Sequence, residues 1–120
     1  MIYTRLQNKA GQNVDPGLSS FAAAAAGADW AGAKDFYVIL TDQPAPAAWP
    51  IVGASFIIVY KQPSDPAALQ TALKFFDWAY KSGKDMAMQL EYVPMPDSVV
   101  QMIQKSWADN IKGSNGALWQ

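Results

Sequence analysis

The ten residues IVGASFIIVY at 51–60 constrain the fold more than any other part of this chain. Drawn out as a strand, they place Phe56 and Ile58 on one side and Ile57 and Val59 on the other, and both sets are apolar. A strand with one wet face alternates apolar and polar side chains. A strand apolar on both faces belongs in the middle of a sheet with helices above and below. FYVIL at 36–40 is a second continuous apolar run, long enough only for a buried strand. These two runs predict an α/β protein.

The remaining segments supply the helices and turns of such a fold. IYTRL at 2–6 alternates as a short strand, with Ile2, Thr4 and Leu6 on one side and Tyr3 and Arg5 on the other. NKAGQN then supplies turn residues. Asp15-Pro16 predicts a helix start, because Asp is a good N-cap and proline at the first helical position loses no useful N–H. Leu18, Phe21, Ala22 and Ala25 form its expected apolar stripe, the alanine run reads as close packing on a neighbour, and Gly27 is placed to end it. TDQPAPAAWP at 41–50 is extended or looped. Asp65-Pro66 repeats the start device. Leu69, Ala72, Leu73, Phe76 and Tyr80 then follow helical spacing, with Phe75 and Trp78 flanking and Gly83 closing. Asp77 and Lys81 are spaced for a surface ion pair. Residues 84–91 suit a short helix that Pro94 and Pro96 break. A last helix opens at Pro96-Asp97-Ser98 with the stripe Val99, Ile103, Trp107 and Ile111, and GSNG at 113–116 is a terminal turn.

Composition narrows the chemistry. Of the 120 residues, 51% are hydrophobic and only 16% charged, against about 25% charged in a typical soluble chain. That excludes a disordered tail and points to more burial than a small lone domain needs. A net charge of −1 argues against a nucleic-acid binder, and no apolar run is long enough for a spanning helix. With no Cys there is no disulfide, thiolate nucleophile or Cys-based zinc site. With no His there is no Ser-His-Asp or Cys-His arrangement. Nine of the ten acids are Asp, Glu91 being the exception, and Arg5 is the only arginine, so clustered arginines cannot grip an anion. Asp29, Asp35 and Asp42 lie near one another but lack the alternate spacing and closing Glu of a calcium loop, and read as solvated loop residues. Ser19-Ser20 has no base to activate it. No Gly-rich phosphate loop is present. Phe75, Phe76, Trp78 and Tyr80 read as core rather than as a ligand-stacking face. These residues give no sign of catalysis, metal or cofactor.

Four stretches carry a family resemblance: GADW at 27–30, DFYVILTDQPAPAAWPIVGASFIIVYK at 35–61, LKFFDWAYKSG at 73–83 and MPDSVVQMIQKSW at 95–107. In this order and spacing they resemble the C-terminal part of the phosphate-binding proteins of bacterial phosphate ABC transporters, from about Ile2 to Ile111. The resemblance implies a periplasmic, two-lobed binding-protein fold of type II, each lobe a sheet flanked by helices, with phosphate clamped between them. It implies that residues 1–44 are the tail of the second lobe, 45–50 a Pro-rich crossing segment, and 51–120 the returning C-terminal part of the first lobe.

The family's phosphate contacts come from earlier segments, including an Arg with a Ser-Gly-Thr helix start. No such triplet is present and Arg5 lacks the matching context, so no catalytic, phosphate-binding or metal residue is expected here. The implied role is scaffold for a phosphate-binding component. Inorganic phosphate is bound only by the full-length parent, the partner is a membrane permease, and no nucleic acid is involved. A homo-oligomer, or association with the missing N-terminal part, is expected to cover the sheet. The alternative is an independent self-associating interaction module without phosphate binding. MIYTRLQNKA has none of the basic, apolar and small-residue pattern of a signal peptide, so periplasmic localisation expects a signal already removed or a chain that is incomplete.

Overall fold

Leu6–Gln7 (β1) pairs antiparallel with Asn13–Val14 (β2), Leu6 opposite Val14 and Gln7 opposite Asn13. The computed structural model describes residues 3–120, so Ile2 of the expected first strand lies outside the described residues. The turn between the strands is built on Asn8. Its carbonyl accepts from the Gly11 N–H at 2.9 Å, and Gly11 takes the left-handed φ of 77° that glycine tolerates best. The buried Asn8 side chain uses both ends of its amide. Oδ1 accepts from the Ala10 and Gln12 N–H groups at 3.1 and 3.0 Å, while Nδ2 donates to the Pro46 and Ala48 carbonyls at 2.8 and 3.0 Å. One carboxamide thus shapes the hairpin turn and ties the Pro-rich segment to it.

The first helix, α1, spans Leu18–Ala26 and begins later than Asp15-Pro16 suggests. Asp15 does not cap it, because its carboxylate pairs with Arg5 Nε at 3.2 Å. Ser20 does that work from inside the first turn. Its hydroxyl donates to the Asp15 carbonyl at 2.7 Å and accepts from the Gly17 N–H at 3.1 Å. The buried face is accordingly Ser20, Ala24 and Ala25, with Phe21 half-buried and Leu18 exposed. The alanines do allow close packing. The Trp49 N–H donates to the Ser20 carbonyl at 3.0 Å, and the Phe21 and Trp49 rings meet edge-on at 6.3 Å. A Cβ on Gly27, which ends the helix, would lie 2.8 Å from Ala45 Cβ. Trp30, buried beyond the helix end, donates its indole N–H to the Ala25 carbonyl at 2.6 Å.

Neither long apolar run forms a strand. Lys34–Phe36 is a single 3-10 turn. Beyond it, Tyr37 and Ile39 face water while Leu40 is buried and Val38 half-buried. The buried strand expected of 36–40 is therefore not formed, and alternate side chains of the run face water. Residues 51–60 also lack strand pairing, and Ile51, Phe56, Ile57, Ile58 and Tyr60 are exposed, Ile58 at 94%. Extended backbone becomes a strand only when a neighbour supplies N–H and C=O partners. The described ladders are two-residue hairpins that reach neither run. The architecture is mixed helix and small sheet, with the helices where the spacing puts them.

The chain divides into two compact units, Met1–Ser55 and Phe56–Gln120. The first is the hairpin, α1 and the loops packed around Trp30, Leu40, Ala48 and Trp49. In the second, α2 (Pro66–Ser82) is capped by Asp65, whose Oδ1 accepts from the Ala68 N–H at 3.0 Å. Then come α3 (Lys84–Gln89), α4 (Asp97–Asn110) and a terminal hairpin of Lys112–Gly113 (β3) with Gly116–Ala117 (β4). Leu73, Val99, Val100 and Ile111 form its buried centre, and Trp107 lies against Tyr80 and Trp119 with ring separations of 6.1 and 5.3 Å. Phe76 and Tyr80 are partly covered, as core residues should be. Phe75 and Trp78 are not core. They stack on each other at 5.8 Å on the outside of α2, Trp78 being 46% exposed.

These burial differences set two stability expectations. Leu73→Ala, at a site with no solvent exposure, lowers stability by about 2–5 kcal/mol, whereas Trp78→Ala costs under about 1 kcal/mol. Urea melts of both variants check the contrast, and equal losses would mean that Trp78 is buried. Asn8→Ala strips the Pro46 and Ala48 carbonyls of their donor and is expected to cost about 1–3 kcal/mol in the same assay.

Candidate functional site

A concavity of the second unit lies between α2, α3 and α4. It is a cleft of about 340 Å³ bordered by Tyr80, Lys81, Lys84, Asp97 and Gln104. Helix spacing puts these groups there: Tyr80 and Lys81 close α2, Lys84 opens α3, and Asp97 and Gln104 lie two turns apart on α4. Both ammonium groups already have carboxylate partners. Lys81 Nζ donates to Asp77 Oδ2 at 2.8 Å, and Lys84 is ion-paired with Asp97 across the helices. The other oxygen of Asp77 accepts from Gln104 Nε2 at 2.6 Å. Asp77 thus joins two helices, while its pairing with Lys81 is the one expected from the sequence. The Tyr80 phenol is pushed above its ordinary value by burial and stays neutral at physiological pH. The cleft is a polar seam that staples α2 and α3 to α4, and its charges neutralise one another.

The residues singled out from sequence are not gathered into a site. Asp29, Asp35 and Asp42 are all exposed. Asp29 Oδ1 accepts from the Gly32 N–H at 2.9 Å in a local turn, and the Asp42 N–H donates to the Pro50 carbonyl at 2.9 Å. No group of three or more acids that could hold a metal occurs among the described residues. Ser20 is a helix-start residue bonded to backbone. Arg5, besides its pair with Asp15, donates through Nη2 to the Asn13 carbonyl at 3.2 Å and braces the hairpin. Lys105 is paired with Asp109 at 2.9 Å along α4. The link between Gln104 and Asp77 was missed from sequence, because it joins residues on helices whose relative placement no local spacing encodes. No described helix is long and apolar enough to cross a membrane.

Comparison with known proteins supplies what the geometry does not. No family model matches the chain. It is 46% identical over 121 residues to the phosphate-binding protein PstS of Pasteurella multocida strain Pm70, a match that takes in 100% of this chain and 35% of the relative. It is 46% identical over 112 residues to the protein of the same name from Xylella fastidiosa strain 9a5c, covering 93% of this chain and 31% of that one. For the Haemophilus influenzae protein of that name the figures are 42% over 112 residues, 93% and 34%. These are names of binding proteins and not of enzymes. The chain spans about a third of the length of the curated relatives it matches. Matched along its whole length at this level of identity, it belongs to the PstS phosphate-binding proteins, corresponding to a C-terminal portion of them.

Proposed function

We propose that the chain is the C-terminal portion of the phosphate-binding component of a phosphate ABC transporter, working in the periplasm with a membrane permease, and that it contributes scaffold rather than phosphate contacts. The observation that carries this is the identity of 46% across the entire chain with a protein named for phosphate binding. In this reading residues 1–44 end the second lobe, 45–50 cross back, and 51–120 complete the first lobe. The ion pairs support a scaffold role. Arg5, Lys81, Lys84 and Lys105 each hold an Asp of this same chain, and a phosphate would have to displace that carboxylate to reach them. Helix N-termini and hydroxyls, which bind oxyanions without such competition, would come from the other segments of the protein. The exposed run at 51–60 favours one other reading, a module that self-associates without binding phosphate.

A segment exchange separates these readings. The part of the Pasteurella multocida relative that matches this chain is replaced by the chain itself, and phosphate binding is measured by calorimetry. Retention of the relative's affinity within about tenfold is expected, with no measurable heat from the isolated 120 residues at millimolar phosphate. An exchanged protein that melts cooperatively yet ignores phosphate overturns the proposal. So does tight phosphate binding by the isolated chain, which would place the contacts within these residues.

A further inference from the structure

The chain has four asparagines, Asn8, Asn13, Asn110 and Asn115, and only Asn115 is followed by glycine. A side-chain amide can be attacked by the backbone nitrogen of the next residue, closing a five-membered imide. Two things prevent this: a side chain on the next residue that crowds the nitrogen, and hydrogen bonds that hold the amide away. Asn8 is buried, with both ends of its amide bonded. Asn110 Nδ2 donates to the carbonyl and hydroxyl of Ser106, each at 3.1 Å. Asn13 and Asn110 also precede the β-branched Val14 and Ile111, the bulkiest kind of neighbour close to the backbone. Asn115 has neither protection. It is exposed, and its side chain makes no hydrogen bond among the described residues. Gly116 is exposed too, with φ 109°, and a Cβ placed on it would meet nothing within 4 Å.

This pair sits in the turn on which the C-terminal latch depends. Ser114 and Asn115 join β3 to β4, with Lys112 opposite Ala117 and Gly113 opposite Gly116. The returning strand delivers Leu118, whose N–H donates to the Ile111 carbonyl at 3.1 Å and whose carbonyl accepts from Gln70 Nε2 of α2 at 3.3 Å. Trp119 then meets Trp107 of α4 edge-on at 5.3 Å. The fit has no slack, since a Cβ on Gly113 would lie 2.8 Å from Leu118 Cδ2 and 3.3 Å from Pro66 Cβ. The turn sets the register of a hairpin, so a change of main-chain length at Asn115 is passed to Leu118 and Trp119.

We propose that Asn115-Gly116 is a self-modification site, and that its isoaspartyl product unlatches the C-terminal hairpin from α2 and α4. The Gly116 nitrogen bonds to Asn115 Cγ, the Cγ–Nδ2 bond breaks, and Nδ2 leaves as ammonia with the proton of the Gly116 N–H. Solvent water then opens one of the two imide C–N bonds. Cleavage at Cγ gives aspartate with the original chain path. Cleavage at the Asn115 carbonyl carbon gives isoaspartate, whose main chain runs through Cβ and Cγ and is longer by one atom. Either product carries one more negative charge. The site needs no partner and does not depend on the functional reading above.

The test incubates the purified 120-residue chain at neutral pH beside a peptide of residues 112–118. Peptide mapping follows the mass gained when NH2 becomes OH, and an isoaspartyl methyltransferase with its methyl donor labels the isoaspartate. Conversion of Asn115 is expected, with Asn8, Asn13 and Asn110 intact. Asn115→Gln is expected to melt as the parent does and to lose the label, because its longer side chain closes the ring far more slowly. Ion exchange separates the converted chain by its added charge. In its isoaspartyl fraction the Leu118 amide is expected to exchange at least about tenfold faster than in the parent, while Asn115→Asp, with the same charge and an unlengthened chain, exchanges as the parent does. An Asn115 still intact when the peptide is fully converted overturns the proposal, as does equal conversion at the other asparagines. An isoaspartyl fraction with parental exchange at Leu118, or an Asn115→Asp chain loosened to the same degree, overturns the unlatching.

Discussion

An extended backbone can satisfy its N–H and C=O groups only from a neighbouring strand or from water, and this rule governs the structure. Where the chain finds its own partners, it forms the hairpins Leu6–Gln7 with Asn13–Val14 and Lys112–Gly113 with Gly116–Ala117. Where it does not, at 37–40 and 51–60, no ladder forms and apolar side chains such as Ile39, Ile57 and Ile58 face solvent. Helices escape the rule because each carries its own hydrogen bonds. The described helices form from residues close in sequence, and the long apolar runs form no strand.

Within the first unit, small groups do what a sheet would otherwise do. The Asn8 carboxamide gathers two N–H groups of its own turn and two carbonyls of the Pro-rich segment. Proline has no N–H and cannot join a ladder, so side-chain donors are a natural way to hold a segment rich in it. The Trp49 N–H then donates to the Ser20 carbonyl at 3.0 Å, and the Trp49 ring meets Phe21 edge-on.

The second unit is held by a compact apolar centre around Leu73 and Val99 and by polar bonds between its helices. Asp77, largely shielded from solvent, accepts from Lys81 on its own helix and from Gln104 on α4. The remaining ion pairs are more exposed and each adds little to stability. Their consequence is chemical: an anion would have to displace an internal carboxylate to reach these cations.

Much of this was legible from residue order. The Asp65 cap, the stripe through Leu73, Phe76 and Tyr80, the Gly27 and Gly83 stops, the pair of Asp77 with Lys81 and the terminal turn all depend on residues a few positions apart, where local geometry decides. The two-sided apolar character of 51–60 and the resemblance carried by four stretches also stand in the sequence, and with them the α/β class and the family. Tertiary structure alone decided that Asp15 goes to Arg5 and leaves α1 to Ser20, that Asn8 reaches Pro46 and Ala48, that Trp78 faces water while Phe76 turns inward, and that Phe56–Tyr60 stands bare. Each of these depends on which distant group is present to meet it. Local sequence encodes what a segment can offer, and only the packed chain determines whether the offer is taken up.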